Sequence, residues 1–564
     1  MTIKRCVDMN ESDIEKLERQ GCFSDDWSLV EIAEGADLGR IRNVCFKGRV
    51  SIGKGTEIIN VPGGISNVRI GDHVRIVNVA RIENSPNATF GIGSDISVLD
   101  ETGNRSVRIY PGISAQIATI AARMPEHASE KLFPMIDRHI AKINEQTGAM
   151  PEIGTGAEIY DCGPIIDVRI WPYVKVEGVA WLKNGSIVNN LDGRNGLTYV
   201  GQGVNAENFI IEDAEVANGV LLRNTYVGQG CVIDKGFTSH DSLFFANCSM
   251  ENGEACAVLA GPFTVSMHKS SLLIGCQTSF MNAGSGTNMS NHMYKLGPVH
   301  WGILERGTKT SSNSYLMHGS HIGVYSLIMG EHKKHPDSSA LPFSYLFGDK
   351  NGDTIAVPGA MLKSYGLKRD EEKWPKRDRR LIKGLKQIDR ITYHILNPYT
   401  AGHILKAIAT TDEMLLMPAD AEGNIEFQGL KIKRNSLEKG RKLYELALCK
   451  YIHSLSYKEE EKKSGKATGN NAENWVDLAG QIIPGSYFNE VLKAGSISEI
   501  EGILDKAEED FDINEQRWVS TRLKEGIDSD ADITMKASEF DAIVENDRKN
   551  SLNQISKESE MLSF

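Results

Sequence analysis

Two short units, Ile52-Gly53-Lys54-Gly55 and Ile70-Gly71-Asp72-His73, begin a repeat in which an aliphatic residue is followed by glycine. Further copies read Ile92-Gly93-Ser94-Asp95, Ile153-Gly154-Thr155-Gly156, Val200-Gly201-Gln202-Gly203 and Val227-Gly228-Gln229-Gly230. Internal repetition of this kind governs the architecture of a whole region.

The spacing of these units predicts a three-sided solenoid. An aliphatic residue every six positions, followed by glycine, indicates a short strand with one inward side chain and then a turn whose φ can be positive. Ile52 and Ile70 are separated by three such six-residue steps. Three short strands make one triangular turn of a prism, so Ile70 is expected directly above Ile52, and stacked aliphatic side chains form the core.

These units resemble the hexapeptide-repeat superfamily of left-handed parallel β-helices. That superfamily includes acyltransferases of sugars, sugar nucleotides and amino acids, and the γ-class carbonic anhydrases. The resemblance implies a mainly β fold and a homo-oligomer, in particular a trimer. A short stretch, Ala283 to Asn288, is also similar to the Gly-Ala-Gly-Thr stretch in the acetyltransferase half of N-acetylglucosamine-1-phosphate uridyltransferases. The flanking regions fit a multi-domain family within this superfamily.

The repeat divides the chain into five regions. We expect an N-terminal cap over 1–50, a first β-helix part over 51–121 and a second over 152–362. The cap opens with a helix in which Ser12 and Glu15 have capping-box spacing. Residues 122–151 form a helical insertion, because apolar residues recur there at helical spacing. Charged amphipathic segments replace the repeat in 363–564, which predicts a mostly α-helical C-terminal domain.

Composition excludes several classes of protein. The formal net charge of -12 argues against a general nucleic-acid binder, since phosphate neutralisation needs a basic surface. No stretch has the length or hydrophobicity of a membrane span or a targeting segment. The nine cysteines include no C-x-x-C pair, which indicates reduced thiols in a cytoplasmic protein and no cysteine-based zinc cluster.

Histidine is concentrated in one part of the chain. Eight of the fourteen histidines fall between His240 and His335. Asn282, His300 and His318 are spaced so that an uninterrupted solenoid would stack them as a ladder, although the stretch from Thr287 to Pro298 has the look of an insertion that would break the count. Histidine is the side chain best suited to proton transfer near neutral pH, so we predict His318 or His300 as a general base.

The same window is rich in polar residues that are expected to line a substrate pocket. The predicted substrate-binding residues are Asn282, Asn288, Asn291, His292, Glu305, Arg306, Lys309, Asn313 and His321.

Three functions compete for this cluster. In the first, a histidine deprotonates the acceptor and Asn or backbone donors hold the oxyanion formed at a thioester, which predicts acyl transfer from acetyl-CoA or another acyl-CoA to a small sugar, sugar-phosphate or sugar-nucleotide acceptor. In the second, three histidines bind zinc as in γ-class carbonic anhydrases. In the third, the prism is a non-catalytic scaffold or ligand-binding platform. The first is our prediction, with no resident metal.

Overall fold

A computed structural model describes residues 6–147, 150–191, 198–290, 300–459, 474–523 and 530–562. The chain consists of two compact units, Met1–Ile274 with Arg379–Asp389 and Gly275–Asp378 with Arg390–Phe564. Among the helices of these described ranges, none combines the length and the hydropathy of a membrane-spanning segment.

The first unit is sheet-rich, and its chain returns repeatedly to lie beside its preceding strands. We call each such return a pass, and most strands pair in parallel with a strand of the next pass. Ile52 is the register partner of Ile70, as the repeat spacing predicts. Further on, Leu222 pairs with Ser239, which pairs with Ala255. Each pass therefore lies beside the next, and inward residues such as Ile52 and Ile70 are buried.

The strands of the first unit are β1 Cys6–Asp8, β2 Phe23–Ser24, β3 Val30–Ala33, β4 Ile41–Ile52, β5 Glu57–Ile70, β6 Arg75–Glu83, β7 Asp95–Ser97, β8 Ser106–Arg108, β9 Glu152–Ile153, β10 Glu158–Ile170, β11 Lys175–Glu177, β12 Trp181–Val188, β13 Tyr199–Val200, β14 Asn205–Glu212, β15 Glu215–Val216, β16 Leu221–Val227, β17 Val232–Asp234, β18 Thr238–Phe244, β19 Ser249–Glu251, β20 Glu254–Cys256, β21 Leu259–Ala260, β22 Val265–Ser266 and β23 Leu272–Ile274. The α-helices among the described residues are α1 Glu11–Arg19, α2 Ala115–Arg123, α3 Pro125–His127, α4 Phe133–Thr147, α5 Tyr365–Arg377, α6 Arg379–Lys383, α7 Pro398–Leu415, α8 Arg434–Glu459, α9 Gly485–Val491, α10 Ile497–Glu509, α11 Phe511–Trp518 and α12 Asp530–Leu562.

Asparagine and aspartate hold one set of corners in the first unit. Asn208, Asn224 and Asp241 occupy equivalent positions in three successive passes, with φ of 55°, 50° and 48°. The Nδ2 of Asn208 donates to Oδ1 of Asn224 at 2.9 Å, and the Nδ2 of Asn224 donates to Oδ1 of Asp241 at 2.8 Å. Asn and Asp tolerate the left-handed region better than other side chains, so one residue type supplies both the bend and a ladder of hydrogen bonds.

Two segments differ from the sequence-based boundaries. Parallel pairing begins before residue 51, because Val30 of β3 pairs with Val50 of β4. Helix α1 is capped by Asn10, whose side chain accepts from the Asp13 N–H at 3.0 Å, and not by the predicted Ser12. The insertion's first helix, α2, begins at Ala115 with Ser114 as its N-cap, earlier than predicted, and its residues up to Ala122 are buried.

A segment from the predicted C-terminal domain belongs to the first unit. In Arg379–Asp389, which we call the strap, the Arg379 guanidinium donates to the Gly230 carbonyl at 2.7 Å. The Asp389 carboxylate accepts from the backbone N–H groups of Ala115 at 2.7 Å and Ala246 at 2.8 Å. Because Asp389 is buried, these contacts tie the strap to the parallel strands and to the start of α2.

The second unit combines parallel strands with helices α5 and α7 to α12. Ile303 pairs in parallel with His321, and Leu327 with Tyr345. A buried cluster that includes Ile404, Tyr444 and Ile452 forms the core of its helical part. Its strands are β24 Cys276–Thr278, β25 Asn288–Ser290, β26 Gly302–Leu304, β27 Lys309–Thr310, β28 Tyr315–Met317, β29 His321–Ile322, β30 Leu327–Met329, β31 Glu331–His332, β32 Tyr345–Gly348, β33 Thr354–Val357, β34 Asn424–Phe427, β35 Leu430–Lys433, β36 Trp475–Leu478 and β37 Gln481–Pro484.

Candidate active site

A histidine and a glutamate meet on two neighbouring parallel strands of the second unit. Strand β29 begins with His321, and Glu305 follows β26, its parallel neighbour. The Nε2 of His321 lies 2.6 Å from Oε1 of Glu305. The His321 side chain is 33% exposed and that of Glu305 is 11% exposed. The carboxylate is thus shielded while the imidazole that it holds reaches solvent.

Helix α7 closes the other side of the Glu305 carboxylate. The Tyr399 hydroxyl donates to Oε2 of Glu305 at 3.4 Å, and the Tyr399 and His403 rings lie 4.5 Å apart. A reciprocal capping box between Asn397 and Thr400 fixes the start of this helix. Burial lowers the pKa of His403, although the charge of Glu305 opposes that shift. Glu305 therefore has a donor on each oxygen, and its orientation toward His321 is set by the fold.

This arrangement suits proton transfer by His321. When Nε2 carries the proton toward Glu305, the basic lone pair of the imidazole lies on Nδ1. The nearby carboxylate stabilises the imidazolium that forms when Nδ1 takes up a proton, as in other histidine–carboxylate pairs.

Arg306, a predicted substrate-binding residue, is enclosed within the second unit. It is 1% exposed, its Nε donates to the Tyr325 hydroxyl at 3.0 Å, and its guanidinium lies 3.6 Å from the Asp477 carboxylate. It also stacks 4.2 Å from the Phe280 ring centroid and donates to the Thr392 carbonyl. A guanidinium surrounded in this way cannot reach a ligand, so we assign Arg306 a structural role.

The two predicted catalytic histidines lie close together but differ in exposure. The ring nitrogens of His300 and His318 come within 4.8 Å of each other. His318 is 1% exposed, whereas His300 is partly exposed. Asn282 does not continue this ladder, because it pairs with Lys309 instead of with His300. The extra residues between β25 and β26 shift the register, as the stretch from Thr287 to Pro298 had suggested.

The other predicted residues are dispersed. Lys309 forms an ion pair with Asp370, and Asn288 accepts from the Ser290 hydroxyl at 2.7 Å. Asn313 is exposed at a corner with φ of 57°. Asn291 and His292 lie outside the described residues. Of the predicted set, Glu305 and His321 form one pair and His300 and His318 another.

Sequence reasoning missed Tyr399 and His403, because they come from a helix far along the chain. Their separation by four residues places them on one helix face, which was the only signal in the sequence. This spacing does not predict that Tyr399 contacts Glu305.

A second missed cluster surrounds Glu212 in the first unit. Its carboxylate accepts from the Gly112 N–H at 2.8 Å, the Asn190 amide at 2.9 Å and the Tyr226 hydroxyl at 3.0 Å. The Asn190 amide also donates to Asp213 at 2.8 Å. Burial, reinforced by the charge of Asp213, raises the pKa of Glu212 to about 7.

Comparison with known proteins identifies the family to which the chain belongs. The search of curated proteins gave no match. A family model described as Domain of unknown function (DUF4954) matches residues 7–68 and 57–415, which is more than half of the chain. The chain therefore belongs to the DUF4954 family.

Proposed function

We propose that the protein is a cytoplasmic acyltransferase whose parallel strands wind as a left-handed β-helix. It would move an acyl group from acetyl-CoA or another acyl-CoA to a hydroxyl or amine of a sugar-type acceptor. The observation that carries the proposal is the 2.6 Å contact between the shielded Glu305 carboxylate and the partly exposed His321 imidazole. The repeat of aliphatic-glycine units supports the β-helix, and with it assembly as a homo-trimer.

In the proposed reaction, His321 is the general base. Its imidazole removes the proton from the acceptor hydroxyl or amine as that group attacks the thioester carbonyl. The tetrahedral intermediate collapses with cleavage of the carbon–sulfur bond, and the imidazolium returns the proton to the leaving CoA thiolate. Glu305 stabilises the imidazolium, and Tyr399 holds Glu305 in place.

His321 is preferred to the predicted His318 on grounds of access. A general base has to come within hydrogen-bond reach of the proton that it removes. His318 is 1% exposed, whereas a third of the His321 side chain is exposed. We therefore place the base at His321 and leave His318 a positioning role.

The test measures CoA release from acetyl-CoA with a panel of hexoses, amino sugars and their phosphates. His321→Asn should lower kcat/KM by about 100-fold or more, the usual contribution of a general base. Glu305→Gln should have a smaller effect, and His240→Asn, at an exposed histidine of the first unit, should have none. Full activity in His321→Asn, or no transfer to any acceptor by the natural protein, would overturn the proposal.

A zinc-dependent reaction is the second candidate, since His300 and His318 supply two nitrogens within 4.8 Å of each other. Metal analysis of the purified full chain tests it. Stoichiometric zinc that is lost in His300→Asn would favour this candidate, and metal-free protein that is active would exclude it.

A further inference from the structure

The second unit contains a cavity of about 750 Å³ between helices α5 and α12. The segment that precedes α7, with Ile395 and Leu396, and Lys450 of α8 complete its wall. Small-molecule sites in proteins typically enclose about 300–1,000 Å³. The cavity shares no residue with the His321–Glu305 pair, so its ligand is a question separate from the proposed acyl transfer.

The cavity has an apolar floor. Leu362, Leu367, Ile395 and Phe540 line it and are buried, and Val544 adds a further apolar side chain. An apolar surface at the base of a cavity binds apolar groups of a ligand by removing both from water. Sugars lack the apolar groups that this floor would accept.

The rim is charged, but most of its charges already have partners. Lys450 pairs with Asp541 at 2.6 Å, and Arg548 pairs with Glu545 at 3.2 Å. The carboxylate of Glu371 accepts the Ile395 N–H at 3.0 Å.

One cationic and one anionic side chain of the rim differ from the others in their ion-pair partners. Lys368 and Glu372 both line the cavity, and neither forms an ion pair with any residue that the structure describes. Lys368 lies toward the N-terminus of α5, where the helix dipole favours a bound anion, and Glu372 lies one turn further along the helix.

We propose that this cavity binds a dipeptide of two apolar residues. The C-terminal carboxylate lies at Lys368, the N-terminal ammonium lies at Glu372, and the apolar side chains occupy the floor. Residues four apart on a helix have Cβ atoms roughly 5–6 Å apart. Two extended residues span at most about 7 Å, so the charged ends of a dipeptide match this spacing. A fatty acid or an apolar amine would satisfy only one of the two charges.

The experiment uses calorimetry on the full chain with the dipeptide Leu-Phe and two blocked forms, N-acetyl-Leu-Phe and Leu-Phe amide. We expect Leu-Phe to bind and each block to weaken binding about tenfold, because each removes one charge-assisted contact. Lys368→Gln should weaken binding of Leu-Phe about tenfold and leave that of Leu-Phe amide unchanged. Glu372→Gln should weaken binding of Leu-Phe about tenfold and leave that of N-acetyl-Leu-Phe unchanged.

The matched control is Lys376→Gln, at an exposed lysine of the same helix that does not line the cavity. It should bind all three peptides as the natural protein does. The proposal is overturned if Leu-Phe fails to bind at millimolar concentration, if the blocked peptides bind equally well, or if Lys376→Gln and Lys368→Gln behave alike. None of these outcomes depends on whether His321 catalyses acyl transfer.

Discussion

Each unit encloses a glutamate among hydrogen-bond donors, yet the two carboxylates have different neighbours. Glu212 in the first unit is 2% exposed, and its donors are a backbone amide, an asparagine and the buried Tyr226. Glu305 in the second unit is held by a tyrosine on one side and by the accessible imidazole of His321 on the other. Uncharged partners tie a carboxylate into the fold, whereas a titratable partner that meets solvent can exchange protons with a substrate.

The largest expected effect comes from the residue next to Glu305. Arg306→Met removes a buried guanidinium and leaves the Asp477 carboxylate without its charged partner, which should cost about 3–5 kcal/mol of unfolding free energy. Urea unfolding followed by fluorescence measures this loss.

The matched control for Arg306→Met is Arg548→Met, at an arginine whose ion pair is partly exposed. Its cost should stay below about 1 kcal/mol. If Arg306→Met unfolds at the same urea concentration as the natural protein, Arg306 does not stabilise the fold. The contrast between a structural Arg306 and a functional Glu305 then fails.

Glu212 gives the second prediction, which concerns pH. Its pKa is raised to about 7 in the folded protein, from an ordinary value of 4.5. Between these values the folded state keeps a proton that the unfolded chain has lost. The stabilisation is therefore complete below about pH 4.5 and is lost as the pH rises through 7, a change on the order of 3 kcal/mol. Glu212→Gln should abolish this dependence.

Hydrogen exchange in β14 and β16, corrected for intrinsic rates, measures the effect. His332 in the second unit serves as the control, because its contribution to stability changes with pH in the opposite direction. Burial lowers the pKa of His332 to about 4, so its contribution is present above about pH 6.5 and is lost as the pH falls through 4. Glu212→Gln should remove the loss of protection between about pH 4.5 and 7 in the first unit only, and an equal change around His332 would contradict the assignment.

Some of this organisation could be predicted from the sequence, because some of it depends on local spacing. The register of Ile52 with Ile70 follows from counting, and so does the proximity of His300 to His318. The position of Asn282 could not be counted, since the extra residues before His300 shift the register.

Long-range contacts defeated sequence reasoning elsewhere. Arg306 looks like a ligand-binding residue until Asp477 and Thr392 are seen to enclose it. The strap lies in the region where the sequence predicts amphipathic segments of a C-terminal domain, although its Arg379 guanidinium donates to the Gly230 carbonyl of the first unit. Tyr399 reaches Glu305 only because α7 packs there. In each case the partner is a polar group far away in the chain, and a hydrogen-bonding match of that kind leaves no periodic signal.

The smallest effect separates the corners of the two units. In the first unit the corner at Asn224 has φ of 50° and its side-chain amide donates a hydrogen bond to Asp241 in the next pass, whereas in the second unit the corner at Gly319 has φ of 83° and no side chain. Asn224→Gly keeps the bend and loses the amide, which should cost about 1 kcal/mol. Asn224→Ala also places a Cβ in the left-handed region and should cost about 1 kcal/mol more.

Urea unfolding of the two variants tests whether the asparagine ladder stabilises the fold or only permits the turn. If the ladder matters, Asn224→Gly is measurably less stable than the natural protein, and Asn224→Ala is less stable still. If only φ matters, Asn224→Gly matches the natural protein. That outcome would make the asparagine corners of the first unit equivalent to glycine corners such as that at Gly319. The repeated asparagines would then be explained by tolerance of the left-handed conformation alone, because the hydrogen bonds along the ladder would be offset by those that water makes in the unfolded chain.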